Sequence, residues 1–385
     1  MIKRWPLTSV IIPLIMFSSC EFQSYEDYGI QPYDGSLAFT RVTSNAGWNN
    51  RFDHASVAYK DKIWIFGGYN PGEIRGDTYY EDVWSSTDGE NWQMVTGSAP
   101  WKGRRGHEVV VFDDGSGEAM FLIGGFSADD STGYRQYCND VWKSSDGENW
   151  TPILERTYPL LQSTDTLFPR MDFAAVVARH ADQDYIYVIG GRTQLEDHDG
   201  TYANEYFNDV WRSANGIEWE KLENDDYGMR AGHAAAVDPE TGMIYIQGGR
   251  SGIIFDTDDN ASVPVEQYRH LWSSPDGIAW SPHYDSAVNE SYLQRMEHEM
   301  LFFDHALWVF PGATVSNMHY HFATDQYLPT WRVEADSIWT VDSEGSDLRG
   351  RHGYSAVMLR DRIWFTGGFT SNRGQENDVW TAEIF

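Results

Sequence analysis

Six arginines stand at the start of six similar stretches: Arg51, Arg104, Arg170, Arg230, Arg295 and Arg349. In five of these stretches a histidine follows (His54, His107, His233, His298 and His352), and in the third Phe173 takes its place. Repeated guanidinium groups could form a cationic ring that gathers an anionic ligand. They could equally hold the structure together by bonding carboxylates and carbonyls between units. A position that recurs in nearly every unit points to packing, and Phe173 shows that the histidine site accepts an apolar residue. Three positions before the arginines stand Trp48, Trp101, Leu167, Tyr227, Tyr292 and Ser346. Aromatic faces beside guanidinium groups suit sugars, acidic ones above all, and equally the centre of a protein interface. The competing expectation is that these rings plug gaps between units.

Smaller constellations offer other chemistry. Asp256, Asp258, Asp259, Asn260 and Glu266 resemble part of a calcium loop, since hard cations take clustered oxygens. Ala261 stands where a glycine is expected and the last acid is displaced, so a solvated acidic loop is the plainer reading. His319 and His321 with Asp325 could touch a metal, but no full ligand set is present. No cofactor is therefore expected, with calcium the exception to watch. His319, His321 and Glu334 are the divergent residues that could act as an acid–base pair, and Trp331 is a tryptophan outside the repeat positions. The Gly-Gly pairs lack the strand–helix context of nucleotide loops and read as structural.

The elements that position these residues are legible as a repeat. "DVWSSTDGENWQ" at 82–93 returns as "DVWKSSDGENWT" at 140–151, "DVWRSANGIEWE" at 209–220 and "HLWSSPDGIAWS" at 270–281, with weaker copies "SIWTVDSEG" at 337–345 and "NDVWTAEIF" at 377–385. Upstream of each lies Arg-x-x-His, an Ala/Val-rich run and an apolar run ending in Gly-Gly, as in "RFDHASVAY…KIWIFGGY" at 51–69. Each copy predicts four short strands, with Asp-Gly or Asn-Gly turning the chain between the third and fourth. Four-stranded units repeated radially make a β-propeller, so the fold class is all-β with six blades over residues 36–385. The segment "LAFTRVTSNAGW" (37–48) aligns with a fourth strand, "NWQMVTGSAPW" (91–101), and should complete the last blade and remove its exposed edge.

Gly-Gly after an apolar strand, then an aromatic, then a spaced tryptophan resembles the kelch family of propellers. The turn departs from the usual kelch pattern: Ser-x-Asp-Gly-x-x-Trp is tighter, and is similar to the Asp-box hairpin of secreted sialidase-type propellers. The resemblance implies a rigid scaffold whose variable loops, between strands two and three, carry binding. The longest are 250–269 and 313–336, which weights the site toward blades three to five. Some six-bladed kelch proteins of bacterial envelopes are sialic-acid mutarotases, so a sugar-active enzyme is the alternative to a non-catalytic binder. A copper-radical oxidase is disfavoured, because Cys138 is the sole candidate for its Tyr–Cys cross-link and fills a slot held by Tyr80 and Phe207 elsewhere.

The chain has 28 basic and 58 acidic residues, a net charge of −30. Such a body repels phosphate backbones, so nucleic acid is not an expected partner. Residues 1–19, with Lys3 and Arg4 before an apolar stretch and Ser18-Ser19 before Cys20, resemble a bacterial lipoprotein signal. That resemblance implies lipid on Cys20, a polar tether over 20–35, and a place in the cell envelope, at the outer membrane, held to the membrane by its lipid alone. The expected partner is an envelope protein or a glycan. With Cys138 the only other cysteine, no internal disulfide is expected.

Overall fold

The computed structural model describes residues 31–32, 37–72, 78–127, 136–155, 166–196, 202–225, 227–252, 266–283, 294–315, 322–323, 330–334, 337–341, 350–370 and 373–384. All regular structure among them is β. Sheet one shows the plan, running antiparallel through Ala55–Tyr59, Lys62–Phe66, Val83–Ser86 and Trp92–Thr96. The inner strand is short and small-residue rich, and the second strand, Ile63-Trp64-Ile65-Phe66, is buried on both faces. That double burial is why its apolar run is continuous rather than alternating.

Five further sheets follow the same order, with inner strands Glu108–Asp113, Ala174–His180, Ala231–Val237, Met300–Phe303 and Ser355–Leu359. Each inner strand packs beside the next, and that of sheet six packs beside that of sheet one. Hydrophobic clusters fill the seams between neighbouring sheets, Trp64 with Val109 and Trp150, for example, and Trp364 with Ile63 and Trp48. The arrangement is a β-propeller. Leu37–Thr43 pairs with Val379–Ile384 as the outermost strand of sheet six, Leu37 opposite Ile384 and Thr43 opposite Val379. Gln31–Pro32 adds a parallel strand to the outer edge of sheet five.

Assignments from sequence are corrected in sheets six and five. The arginine of sheet six is Arg351, and Arg349 lies outside the described residues. Tyr354, not His352, fills the histidine slot: its hydroxyl donates to Pro311 O at 2.5 Å. Pro311 replaces the first glycine of the sheet-five pair, so a longer ring-and-hydroxyl side chain meets it there. In sheet five, Thr330–Glu334 is the third strand and Ser337–Val341 the outer one. Val309 pairs with Trp331 as Ile65 pairs with Trp84, so Trp331 is the repeat tryptophan of that sheet.

Candidate functional site

The repeat arginines are structural. Arg51, Arg104, Arg170, Arg230, Arg295 and Arg351 are at most 2% exposed. Four of them make bidentate pairs within their own sheet. Arg51 reaches Asp82 at 2.6 and 2.9 Å, Arg104 reaches Asp140 at 2.8 and 2.9 Å, and Arg170 and Arg351 do the same with Asp209 and Asp378. Each also donates to the carbonyl of the first glycine of its sheet. The same aspartate accepts from the indole of Trp84, Trp142, Trp211 or Trp380 two residues later. Hence "DVW" recurs as a unit. In sheet four His270 stands at the aspartate position and in sheet five Pro329 does. Arg295 there stacks on Trp331 at 3.9 Å and donates to Phe310 O at 2.8 Å.

Histidine and Gly-Gly form the joint between sheets. A Cβ on Gly67 would lie 2.9 Å from the His107 ring, and Gly190, Gly248 and Gly367 meet His233, His298 and His54 in the same way, while Gly124 meets Phe173. The second glycine's amide donates to the arginine carbonyl of the next sheet, Gly68 to Arg104 and Gly125 to Arg170. Burial, with the adjacent arginine charge, lowers His54 and His233 to about 3, and both stay neutral.

The aromatic positions are placed in the core. Trp48, Trp101 and Tyr227 are 1%, 1% and 2% exposed and pack on Trp92, Trp150 and Trp280. Their rings fill seams and present no open face, so their recognition role is corrected to packing. Trp331, 3% exposed, belongs with them. Tyr292, His319, His321, Asp256, Asp258, Asn260 and Cys20 lie outside the described residues. Among the described residues no group of three metal-ligating side chains is assembled.

A mouth that sequence reasoning did not identify lies on the axis, on the face where the strand-two-to-three loops emerge. The third residue of each Arg-x-x-x unit, one before its His or aromatic slot, is Asp53, Gly106, Asp172, Gly232, Glu297 or Gly353, all with positive φ between 52° and 67°. Each amide donates to the carbonyl of the preceding sheet, Gly106 to Asp53, Asp172 to Gly106, and so round to Asp53, which donates to Gly353 at 2.8 Å. This closes an annulus of six backbone hydrogen bonds. Acid and glycine alternate because each aspartate leans over a neighbouring glycine: a Cβ on Gly106 would lie 2.6 Å from Asp172 Oδ1, and one on Gly353 2.7 Å from Asp53 Oδ1.

Above the annulus six equivalent cross-strand pairs line the mouth: Phe52 with Tyr69, Arg105 with Phe126, Met171 with Arg192, Ala231 with Arg250, Met296 with Ala313, and His352 with Phe369. These positions differ from sheet to sheet. Sheets two to four present an arc of guanidinium groups, and sheets six and one an arc of rings, with Phe52 5.4 Å from Tyr69 and 5.9 Å from Phe369. Arginines and a histidine meet the annulus acids: Arg192 Nε lies 2.8 Å from Asp172, Arg105 3.5 Å from Asp53, and His352 Nδ1 2.6 Å from Glu297. Burial opposes ionisation of Glu297, but the His352 bond and the charges of His352, Arg250 and Arg105 outweigh it and hold its carboxyl at about 2. Arg250 donates to Tyr206 Oη at 2.8 Å. The signal was present in the sequence as the two variable columns beside the recurring arginine and Gly-Gly.

Just below the annulus, Glu108 begins the inner strand of sheet two and Glu299 immediately precedes that of sheet five. Burial first, then the charge of Asp172, raises Glu108 to about 8. Burial and the charge of Glu108 raise Glu299 likewise.

Fold and repeat chemistry together define a kelch-type β-propeller. Residues 81–380 match the family model described as Attractin/LZTR1 beta-propeller, and the chain belongs to that family. It is 23% identical over 373 residues to the leucine-zipper-like transcriptional regulator 1 homolog of Drosophila melanogaster, an alignment covering 91% of this chain and 34% of that protein. The chain thus spans about a third of that relative's length. The structure of YjhT superposes with a TM-score of 0.61 at 12% identity, covering 88% of this chain and 96% of that one, a likeness of fold.

Proposed function

We propose that this chain is a non-catalytic binding propeller of the bacterial cell envelope, anchored through lipid on Cys20 to the outer membrane, that captures a protein or a glycan on its mouth face. In this reading six blades, latched by Leu37–Thr43, form a rigid ring, and the three connections 192–207, 250–269 and 313–329 leave the ends of strand two on the mouth face. The carrying observation is where repetition fails. Columns facing the seams are nearly invariant, whereas the six pairs at the mouth differ, giving a cationic arc opposite an aromatic one. Aromatic and arginine side chains grouped on a rigid frame are the composition of interface centres. Family membership supports a binding role for the propeller. The test is a glycan array and a pull-down with the Cys20→Ala chain, followed by Arg250→Ala and Phe369→Ala. Each should weaken the captured ligand by about 1–3 kcal/mol. A ligand indifferent to both changes and to the three loops refutes the mouth as the site. Cys20→Ala should itself shift the protein from the membrane to the soluble fraction.

A sugar-active enzyme is the second reading, favoured by one observation. Glu108, raised to about 8 in the axial channel, is protonated at neutral pH beside a second raised carboxyl, Glu299. A carboxyl that keeps its proton at neutral pH can serve as a general acid. Exchange between sugar anomers followed by NMR, absent in Glu108→Gln, would support it, and equal rates with and without the protein would exclude it.

A further inference from the structure

The face opposite the mouth has a seam built differently from those beneath sheets one to four. Sheets one to four each lay their third-to-fourth hairpin on the preceding sheet. A Cβ on Gly89 would meet Trp364 of sheet six, one on Gly147 Trp64 of sheet one, one on Gly216 Phe121 and one on Gly277 Tyr187. First-to-second turns tie these hairpins down: Lys60 Nζ donates to Ser145 O at 2.8 Å and Arg360 to Thr87 O at 3.1 Å. In sheet six the third strand, Val379–Ile384, and the outer strand, Leu37–Thr43, are far apart in sequence, so no hairpin joins them. Where that hairpin would lie, beside the sheet-five turn Asp304-His305, there is a cleft of about 740 Å³.

Phe302, Phe303, Met358 and Ile384 line this cleft and are only half-buried. Five carboxylates surround them, Asp238, Glu240, Asp304, Asp361 and Glu383, against the guanidinium groups of Arg360 and Arg362. Carboxylates outnumber the lining guanidinium groups five to two; Glu240 meets His305 Nδ1 at 2.8 Å, and Asp304 faces Arg332 of the third strand at 3.5 Å. Arg362 is engaged by Glu383 at 2.6 Å, and Arg360 turns away to Thr87 and Asp61. Asp304 and Asp361 stand exposed at the rim.

We propose that this cleft is a second docking site, for a cationic polypeptide loop. The loop inserts one apolar side chain against Phe303 and Ile384 and sets lysine or arginine against Asp304 and Asp361. Charge selects this occupant. A second copy of the chain carries −30 and would be repelled from an acidic seat, and so would an acidic Ser-x-Asp-Gly hairpin of the kind that fills the other seams. The inference goes beyond the mouth and is independent of it.

The probe is a fluorescein-labelled cyclic hairpin peptide with Lys-Trp-Lys at its turn, titrated by anisotropy into the full chain at physiological ionic strength. Glu-Trp-Glu and Lys-Ser-Lys peptides serve as analogues. The proposal expects binding of Lys-Trp-Lys that weakens about tenfold in the Asp304→Asn/Asp361→Asn double variant and about tenfold with the serine analogue. Glu90→Gln/Glu148→Gln, which removes exposed acids on two seated hairpins, should leave affinity unchanged, as should Arg250→Ala at the mouth. No binding, an equal loss in the Glu90/Glu148 control, or equal affinity for the serine or glutamate peptide overturns it. A concentration-dependent dimer that the peptide dissociates would assign the cleft to a second copy, and overturns it too.

Discussion

Arg104 and Asp140 show how one residue pair determines what the repeat is for. The pair is nearly dry, with 2% and 8% of its side chains exposed, and removing one partner strands the other charge in the core. Asp140→Ala should therefore cost about 3–5 kcal/mol in chemical denaturation. Trp101→Ala, which empties a seam against Trp150, should cost a similar ~3–5 kcal/mol while leaving ligand affinity untouched. A loss of affinity without loss of stability at Trp101 would restore it to the site. The motif was readable as Arg, His and Trp at fixed spacing. Its direction was not, because spacing does not say whether a guanidinium faces solvent or its own sheet's aspartate.

At the scale of elements, the Ser-x-Asp-Gly hairpin does two jobs. Ser86 Oγ accepts from Gly89 N at 2.8 Å and Asp88 Oδ1 from Asn91 N at 2.8 Å, which caps the turn from within. The glycine then lets the turn lie flat on an aromatic ring of the preceding sheet. Gly147→Ala would bring a Cβ within 2.2 Å of Trp64 at a φ of +77°. Overpacking and left-handed backbone together should cost about 1–3 kcal/mol, seen as a lowered midpoint in thermal unfolding. Gly117→Ala, whose added Cβ meets nothing within 4 Å at a φ of +108°, isolates the backbone contribution and should cost less. Four strands per copy followed from turn chemistry and alternation. Sheet five was misread because its turn lacks Asp-Gly, and the register at Val309–Trp331 came only from pairing across strands.

The whole molecule should be most stable near neutral to slightly acid pH. His54 and His233 titrate at about 3 when folded, below the ordinary 6.5, so the unfolded chain takes up protons first as pH falls. Their contribution is complete above 6.5 and is lost as pH drops toward 3. Glu108 runs the other way: raised to about 8, it contributes fully below 4.5 and loses that contribution as pH climbs through 8. Urea unfolding across this range should show stability falling on both sides. Glu108→Gln should flatten the alkaline side alone. An alkaline limb unchanged in that variant would show that Glu108 is ionised and solvated in the folded protein.

By itself the sequence determined that this chain is a propeller of repeated four-stranded sheets. Period-two alternation, Asp-Gly turns and Gly-Gly at strand ends are local features, and locality is what a linear text preserves. It also separated invariant from variable columns, although the mouth pairs such as Met171–Arg192 were not recognised as a group. Tertiary structure decided which columns meet. Six residues spread from Asp53 to Gly353 close one hydrogen-bonded annulus, and Arg105, Arg192, Arg250 and Phe369 face one another only because the sheets close in a circle. The physical reason is distance along the chain. A mouth built from one short segment of every repeat exists only after all the seams are packed, and no stretch of the sequence contains it.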